Sequence, residues 1–144
     1  MGMGYVGLTL SVVLAKNGFE THGIEVNNAV VKDLKEGRPH FKEAGLANLL
    51  RHQQSTGGLF IHEKLPDSQI DAYIISVGTP LLEGSKQPNI GYIEQVVKEV
   101  SRHMSVGSLV ILRSTVPVGV SRNVVIPIIE KESGLIAGKD FYFS

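Results

Sequence analysis

Apolar residues along the chain fall into two alternating patterns. Short β-branched runs bounded by turn residues occupy positions 21–26, 59–62, 72–77, 108–113 and, last, 141–143. Between them lie longer stretches with the spacing of one helix face. Val6, Leu10, Val13 and Leu14 make one stripe, stopped by Asn17 and Gly18. Ile90, Ile93, Val97, Val100 and Met104 make another, after Pro88 and an N-cap at Asn89, and Val120, Val124 and Ile128 make a third. Shorter helical patterns cover positions 28–36, ended by Gly37, and 43–52, where Leu46, Leu49 and Leu50 face inward. All these stripes are expected to be core. The runs 73–77 and 109–112 are apolar without alternation, as strands covered on both faces are, so they are expected to be central. The alternation of strands and helices predicts an α/β fold, a Rossmann-like doubly wound parallel sheet with helices on both faces.

Length and charge narrow the picture. The 144 residues suit one domain with a core, and the absence of cysteine removes disulfides, thiolate metal sites and any cysteine nucleophile within these residues. Fourteen basic residues balance fourteen acidic ones, without the basic excess that a phosphate backbone attracts, so no nucleic acid is expected as partner. No apolar run approaches the ~20 residues of a membrane span, and the N-terminus lacks the charged-then-apolar order of a signal peptide. No membrane partner and a cytoplasmic setting are the expectation. The five histidines, His22, His40, His52, His62 and His103, lack metal-ligand spacing; surface or packing roles are expected, and no metal.

The chemistry begins at the first residues, Met1-Gly2-Met3-Gly4-Tyr5-Val6-Gly7, which match G-x-G-x-x-G and open the first helix. Gly2 allows the tight turn, Gly4 lets the backbone approach a pyrophosphate, and Gly7 lets the helix pack closely on a strand. The helix N-terminus offers free amides and a positive dipole end to the phosphates. Glu25 ends the second strand 18 residues after Gly7, near the ~20-residue offset of the acid that accepts ribose hydroxyls, and its charge disfavours a 2′-phosphate. The cofactor expected is therefore NAD rather than NADP. The fingerprint should follow a strand, and here only one residue precedes it. That first strand normally lies in the middle of the sheet, so the expectation is a domain with its first strand largely missing, or a slot filled by something else.

Five ordered segments carry a resemblance. They are Gly2-Met3-Gly4-Tyr5-Val6-Gly7-Leu8, Gly23-Ile24-Glu25-Val26-Asn27, Gly37-Arg38-Pro39-His40-Phe41-Lys42-Glu43-Ala44-Gly45-Leu46, Ser76-Val77-Gly78-Thr79-Pro80 and Ser114-Thr115-Val116-Pro117-Val118-Gly119. In order and spacing they resemble the N-terminal domain of the UDP-glucose/GDP-mannose dehydrogenase family, over essentially the whole chain. The third segment resembles bacterial or archaeal UDP-N-acetylhexosamine dehydrogenases more than UDP-glucose ones. The resemblance implies NAD-dependent oxidation of a nucleotide-sugar C6 alcohol to a carboxylate, with two hydride transfers and a thioester on a cysteine. It further implies that Gly2, Met3, Gly4, Tyr5 and Val6 line the pyrophosphate turn, that Glu25 takes a ribose role usually held by aspartate, and that Val77, Gly78 and Thr79 border the cofactor. Ser114 is grouped with these cofactor residues, and Thr115 matches the threonine that positions water for thioester hydrolysis. On this resemblance residues 1–144 are an incomplete NAD-binding domain. The central helix, a catalytic acid, the nucleophilic cysteine and the sugar-binding domain would follow Ser144, and the whole enzyme would be a homodimer acting on a nucleotide sugar.

Two points stay open at this level. Arg113, at the end of a buried strand, is either ligand-facing or salt-bridged, since burial of a lone charge is costly. The domain is either the cofactor part of a dehydrogenase, inert alone, or a non-catalytic NAD-binding or regulatory module; a related β-hydroxyacid or 6-phosphogluconate type dehydrogenase is disfavoured by the Ser-Thr-Val-Pro segment.

Overall fold

The computed structural model describes residues 1–81, 84 and 88–144. The described elements are mixed α/β with only parallel strand ladders, arranged in two compact units, Met1–Pro66 and Asp67–Ser144.

In the first unit, α1 (Tyr5–Lys16) leads to β1 (Thr21–Ile24), α2 (Asn28–Lys35), α3 (Leu46–Ser55) and β2 (Leu59–His62). β1 and β2 pair in parallel, Thr21 opposite Leu59 and Ile24 opposite His62. No strand precedes α1 among the described residues; Met1–Met3 run beside β1, with the Gly2 N–H donating to the Ile24 carbonyl at 2.8 Å. One cluster holds this unit together: Met3, Leu8, Val12, Ala15, Val31, Leu34, Leu46, Leu50, Leu59 and Ile61, drawn from the segment ahead of α1, all three helices and the β2 face bearing Leu59 and Ile61. The expected stripe of α1 is corrected here. Val6 and Val13 are about half exposed, and the buried face is Gly7, Leu8, Val12 and Ala15. The helix is apolar nearly all round, so spacing alone could not choose a face; the face bearing the small residues Gly7 and Ala15, which permits the closest approach, is the one packed. α2 ends as expected, with Gly37 at φ +71°.

His22 and His62, on neighbouring strands, stack with ring centroids 5.1 Å apart, with 3.0 Å between His22 Nδ1 and His62 Nε2. His22 Nε2 lies 3.1 Å from the Glu20 carboxylate. His62 is held below the ordinary imidazole range by burial first, then by the charges of His22 and Lys35. The unfolded chain therefore takes up this proton at a higher pH than the folded one. Stability from His62 is complete above the unfolded value of about 6.5 and is lost as pH falls below it. The melting temperature is expected to fall between pH 7.5 and 5.5, and His62→Gln to flatten that slope. An identical slope in the variant would remove His62 as its source.

In the second unit, β3 (Ala72–Ile75), α4 (Gly91–His103), β4 (Leu109–Leu112), a π-turn (Ser121–Val125), α5 (Ile126–Ser133) and β5 (Tyr142–Phe143) follow in order. β4 is the middle of three parallel strands, with Ile75 opposite Leu112 on one side and Val110 opposite Phe143 on the other. Tyr73, Ile75 and Val110 are fully buried, as are Ile93, Val97 and Val100 of α4 and the large ring of Phe141. The N-cap of α4 is Ile90 rather than the expected Asn89, whose side chain, one residue earlier, still accepts the Gly91 N–H at 3.0 Å. The third stripe is displaced by one position: Val125 and Ile129 are buried, while Val120, Val124 and Ile128 are only half-buried. The π-turn explains the shift, because its i to i+5 bond, Ile126 N–H to Ser121 O, winds in one residue more than an α-turn.

Candidate functional site

The glycine turn has the geometry its sequence requires. Gly2 sits at φ +85°, a left-handed conformation open to glycine at no steric cost. Gly4 is the N-cap of α1 and brings no side chain to cap it. The first intrahelical bond is made by the Leu8 N–H to the Gly4 carbonyl at 2.9 Å, so the Tyr5, Val6 and Gly7 amides stand ahead of the ladder. A Cβ at Gly4 would meet nothing within 4 Å, which leaves the approach to these amides open.

Glu25 fixes this turn from the end of β1. One carboxylate oxygen accepts the Met3 N–H at 3.0 Å and the other accepts the Asn27 N–H at 2.9 Å. Asn27 in turn caps α2, accepting the Ala29 N–H at 3.0 Å. Each Glu25 oxygen keeps a second lone pair, so the carboxylate can still accept from ribose hydroxyls. Met3 serves the turn through its backbone alone. Its side chain is buried in a space that exists because residue 23 is glycine: a Cβ there would stand 2.5 Å from Met3 Cε.

Tyr5 reaches away from the turn. Its phenol donates to a Glu43 carboxylate oxygen at 2.8 Å, and its ring lies 5.0 Å from that of Phe41. The bond to Glu43, then the charge of that carboxylate, holds the phenol above the usual tyrosine range, so it remains a donor at neutral pH. Phe41 and Glu43, with Pro39, Lys42, Ala44 and Ala47, line an open cleft of about 430 Å³. The Tyr5–Glu43 contact joins residues 38 apart, and nothing in the spacing of the chain signals it.

The second unit holds the other expected site residues, on the loops that follow β3 and β4. The Arg113 N–H donates to the Ile75 carbonyl at 2.7 Å as the last rung of the ladder. Beyond it, Ser114 Oγ donates to the Val77 carbonyl at 2.7 Å, and Thr79 Oγ1 donates to the Thr115 carbonyl at 3.0 Å. The structure thus brings Val77 to Ser114 and Thr79 to Thr115. Gly78 is exposed with open space where a Cβ would be, and the Thr115 hydroxyl is exposed and makes no bond among the described residues. Arg113 is exposed and forms no ion pair among the described residues, so the cost of burying its charge does not arise. Among the described residues no group of three or more histidine, aspartate and glutamate side chains could hold a metal ion, and no helix is long and apolar enough to cross a membrane.

These residues fit a dinucleotide: free amides at a helix N-terminus for phosphates, an unfilled cradle over Gly4, and a strand-end carboxylate for a ribose. The family model "UDP-glucose/GDP-mannose dehydrogenase family, NAD binding domain" matches residues 1–144. A UDP-N-acetyl-D-mannosamine dehydrogenase of Campylobacter jejuni is 33% identical over 135 residues, covering 94% of this chain and 33% of that protein. A solved UDP-N-acetyl-mannosamine dehydrogenase from Staphylococcus aureus superimposes with a TM-score of 0.93 at 26% identity, over 99% of this chain and 34% of the other. A ternary complex of the GDP-mannose dehydrogenase from Pseudomonas aeruginosa gives a TM-score of 0.89 at 36% identity, over 99% and 34%. The chain therefore spans about one third of the length of the relatives it matches.

Proposed function

The chain belongs to the UDP-glucose/GDP-mannose dehydrogenase family, as an NAD-binding domain, and from that premise we propose that it is the cofactor-holding part of an enzyme that oxidises the C6 alcohol of a nucleotide sugar to a carboxylate. The observation that carries the reading is the glycine turn fastened by Glu25, with the Tyr5, Val6 and Gly7 amides ahead of the α1 ladder and nothing within 4 Å of a Cβ at Gly4. When bound, NAD supplies the hydride acceptor, twice for each alcohol taken to an acid. The amides of Tyr5 and Val6 bind the pyrophosphate, and Glu25 accepts from the adenosine ribose. Val77, Gly78 and Thr79 form the rim beyond β3. Thr115 holds the water that hydrolyses the acyl intermediate, a role open to a hydroxyl that makes no bond among the described residues, on an exposed residue. The sugar belongs to the class named for the relatives, a UDP- or GDP-linked hexose or N-acetylhexosamine. The central helix, the sugar-binding part and a homodimeric whole enzyme complete this reading.

Calorimetric titration of the chain tests the cofactor half. Saturable NAD binding is expected, with NADP weaker by at least about tenfold because its 2′-phosphate meets the Glu25 charge. Glu25→Gln removes the charge and also one of the two backbone N–H bonds, because its amide nitrogen cannot accept, so it is expected to weaken NAD binding while narrowing the NADP deficit by about tenfold, ~1.4 kcal/mol. A flat NAD titration on a chain that still melts cooperatively would overturn the reading. For the chemistry, NADH formation is followed at 340 nm with the gene product that contains this chain and a panel of UDP- and GDP-sugars. NAD binding with no reduction across the panel favours a non-catalytic NAD-binding module instead.

A further inference from the structure

Tyr5 is the first residue of α1, and its large side chain is 59% exposed. In an α-helix each Cα–Cβ bond leans toward the N-terminus, so a side chain covers the turn before its own position. Tyr5 has no earlier turn to cover. In that direction lies the mouth of the helix, where the amides of Tyr5 and Val6 stand ahead of the ladder. Apart from its chain neighbours, nothing comes within 4 Å of a Cβ placed at Gly4. Of those neighbours, Met3 sends its side chain into the core. That leaves the ring of Tyr5 as the side chain beside Gly4 with the reach to cover the mouth.

The ring is held aside. The Tyr5 phenol donates to Glu43 Oε2 at 2.8 Å, and the ring lies 5.0 Å from that of Phe41, tilted by 46°. Both partners belong to the segment between α2 and α3, which is itself fixed. Phe41 packs against the core cluster, and the Glu43 carbonyl accepts the Leu46 N–H at 3.2 Å where α3 begins. Within a helix the preceding turn closes one χ1 well to most side chains. Position 5 has no preceding turn, so an untethered tyrosine there has all three staggered wells open. The carboxylate bond and the ring contact select one of them.

We propose that Glu43 is a positioning residue for cofactor entry: by holding the Tyr5 phenol it parks the ring against Phe41 and keeps the approach to the Tyr5 and Val6 amides clear. The functional consequence rests on the NAD reading above, whereas the anchored rotamer is a property of the free chain. Only molecules with a clear mouth bind, so apparent affinity scales with their fraction. With three wells equally filled and one of them clear, release of the ring costs about threefold in affinity.

The test compares Glu43→Ala, which removes the acceptor, with Glu43→Gln, which keeps an acceptor oxygen and loses the charge. The rotamer of Tyr5 is read in the unliganded chain from its three-bond χ1 couplings, and NAD affinity from calorimetry. Glu43→Ala is expected to turn one rotamer into an average and to weaken NAD binding about threefold. The melting temperature is expected to stay nearly unchanged, because the lost bond is exposed. Glu43→Gln is expected to restore both the rotamer and the affinity. Adding Tyr5→Ala to Glu43→Ala is expected to regain affinity relative to Glu43→Ala, since the released ring is then gone while the amide at position 5 stays. A double variant as weak as Glu43→Ala, or weaker, would make these side chains direct ligands and overturn the proposal. So would a single Tyr5 rotamer in Glu43→Ala, or an averaged one with unchanged affinity. If the parent chain binds no NAD, the cofactor reading fails by itself. The couplings then still decide the anchor: averaging that glutamine reverses supports it, and a ring that stays fixed refutes it.

Discussion

Gly4→Asp is expected to abolish NAD binding while leaving the fold as stable as before, or slightly more so. Gly4 is the N-cap of α1 with φ −66° and ψ −164°, an extended conformation that any residue adopts. Aspartate is among the best N-caps, and its Cβ would meet nothing within 4 Å. Stability is therefore expected to rise by up to about 1 kcal/mol. The same carboxylate would stand where the pyrophosphate must approach, opposing it by bulk and by charge. NAD affinity is expected to fall at least 100-fold, about 2.8 kcal/mol. The opposite signs make the result informative. Calorimetry and thermal melting on one preparation give both numbers, and affinity within threefold of the parent would show that the phosphates are held elsewhere.

The second large effect is structural. Phe141→Ala is expected to lower the melting temperature of the second unit by more than about 12 °C, since truncating a buried phenylalanine costs about 3–5 kcal/mol. Phe141 is only 1% exposed, although it is the fourth residue from the last one described. Its neighbour Tyr142 is 59% exposed, and Tyr142→Ala is expected to change stability by no more than about 0.5 kcal/mol. Equal effects of the two substitutions in differential scanning calorimetry would contradict this inside-outside assignment of neighbouring positions.

Much of the fold was legible because its signals are local. The β-branched runs at 21–26, 59–62, 72–77 and 108–113 each contain the strand that forms, trimmed by at most two residues at an end, and Gly37 follows α2 as a left-handed stop. The glycine turn was legible for the same reason, since its conformation depends on residues a few positions apart. The face of α1 was not, because a helix apolar all round offers no contrast for periodicity to detect. Nor were the contacts of Tyr5 with Glu43 and of His22 with His62, which join residues 38 and 40 apart through packing that no spacing encodes. Thr79 and Ser114 illustrate a subtler limit. Their place at the ends of strands could be read from the chain, but where each hydroxyl spends its proton depends on the neighbouring loop.

The π-turn at Ser121–Val125 is where two independently set phases meet. Upstream, hydroxyl bonds tie Ser114 and Thr115 to the loop after β3; downstream, Val125 and Ile129 are buried and hold the rotation of α5. A regular α-helix running on from Val120 would force one of the two to slip by a residue. The extra residue takes up that mismatch, equivalent to about 100° about the helix axis. It works as a phase coupling, letting the loop be tuned to a ligand and the helix to the core without either dictating to the other. A one-residue deletion within it would leave α5 seated and swing the preceding loop around the axis, coupling a seemingly remote change directly to the orientation of Thr115.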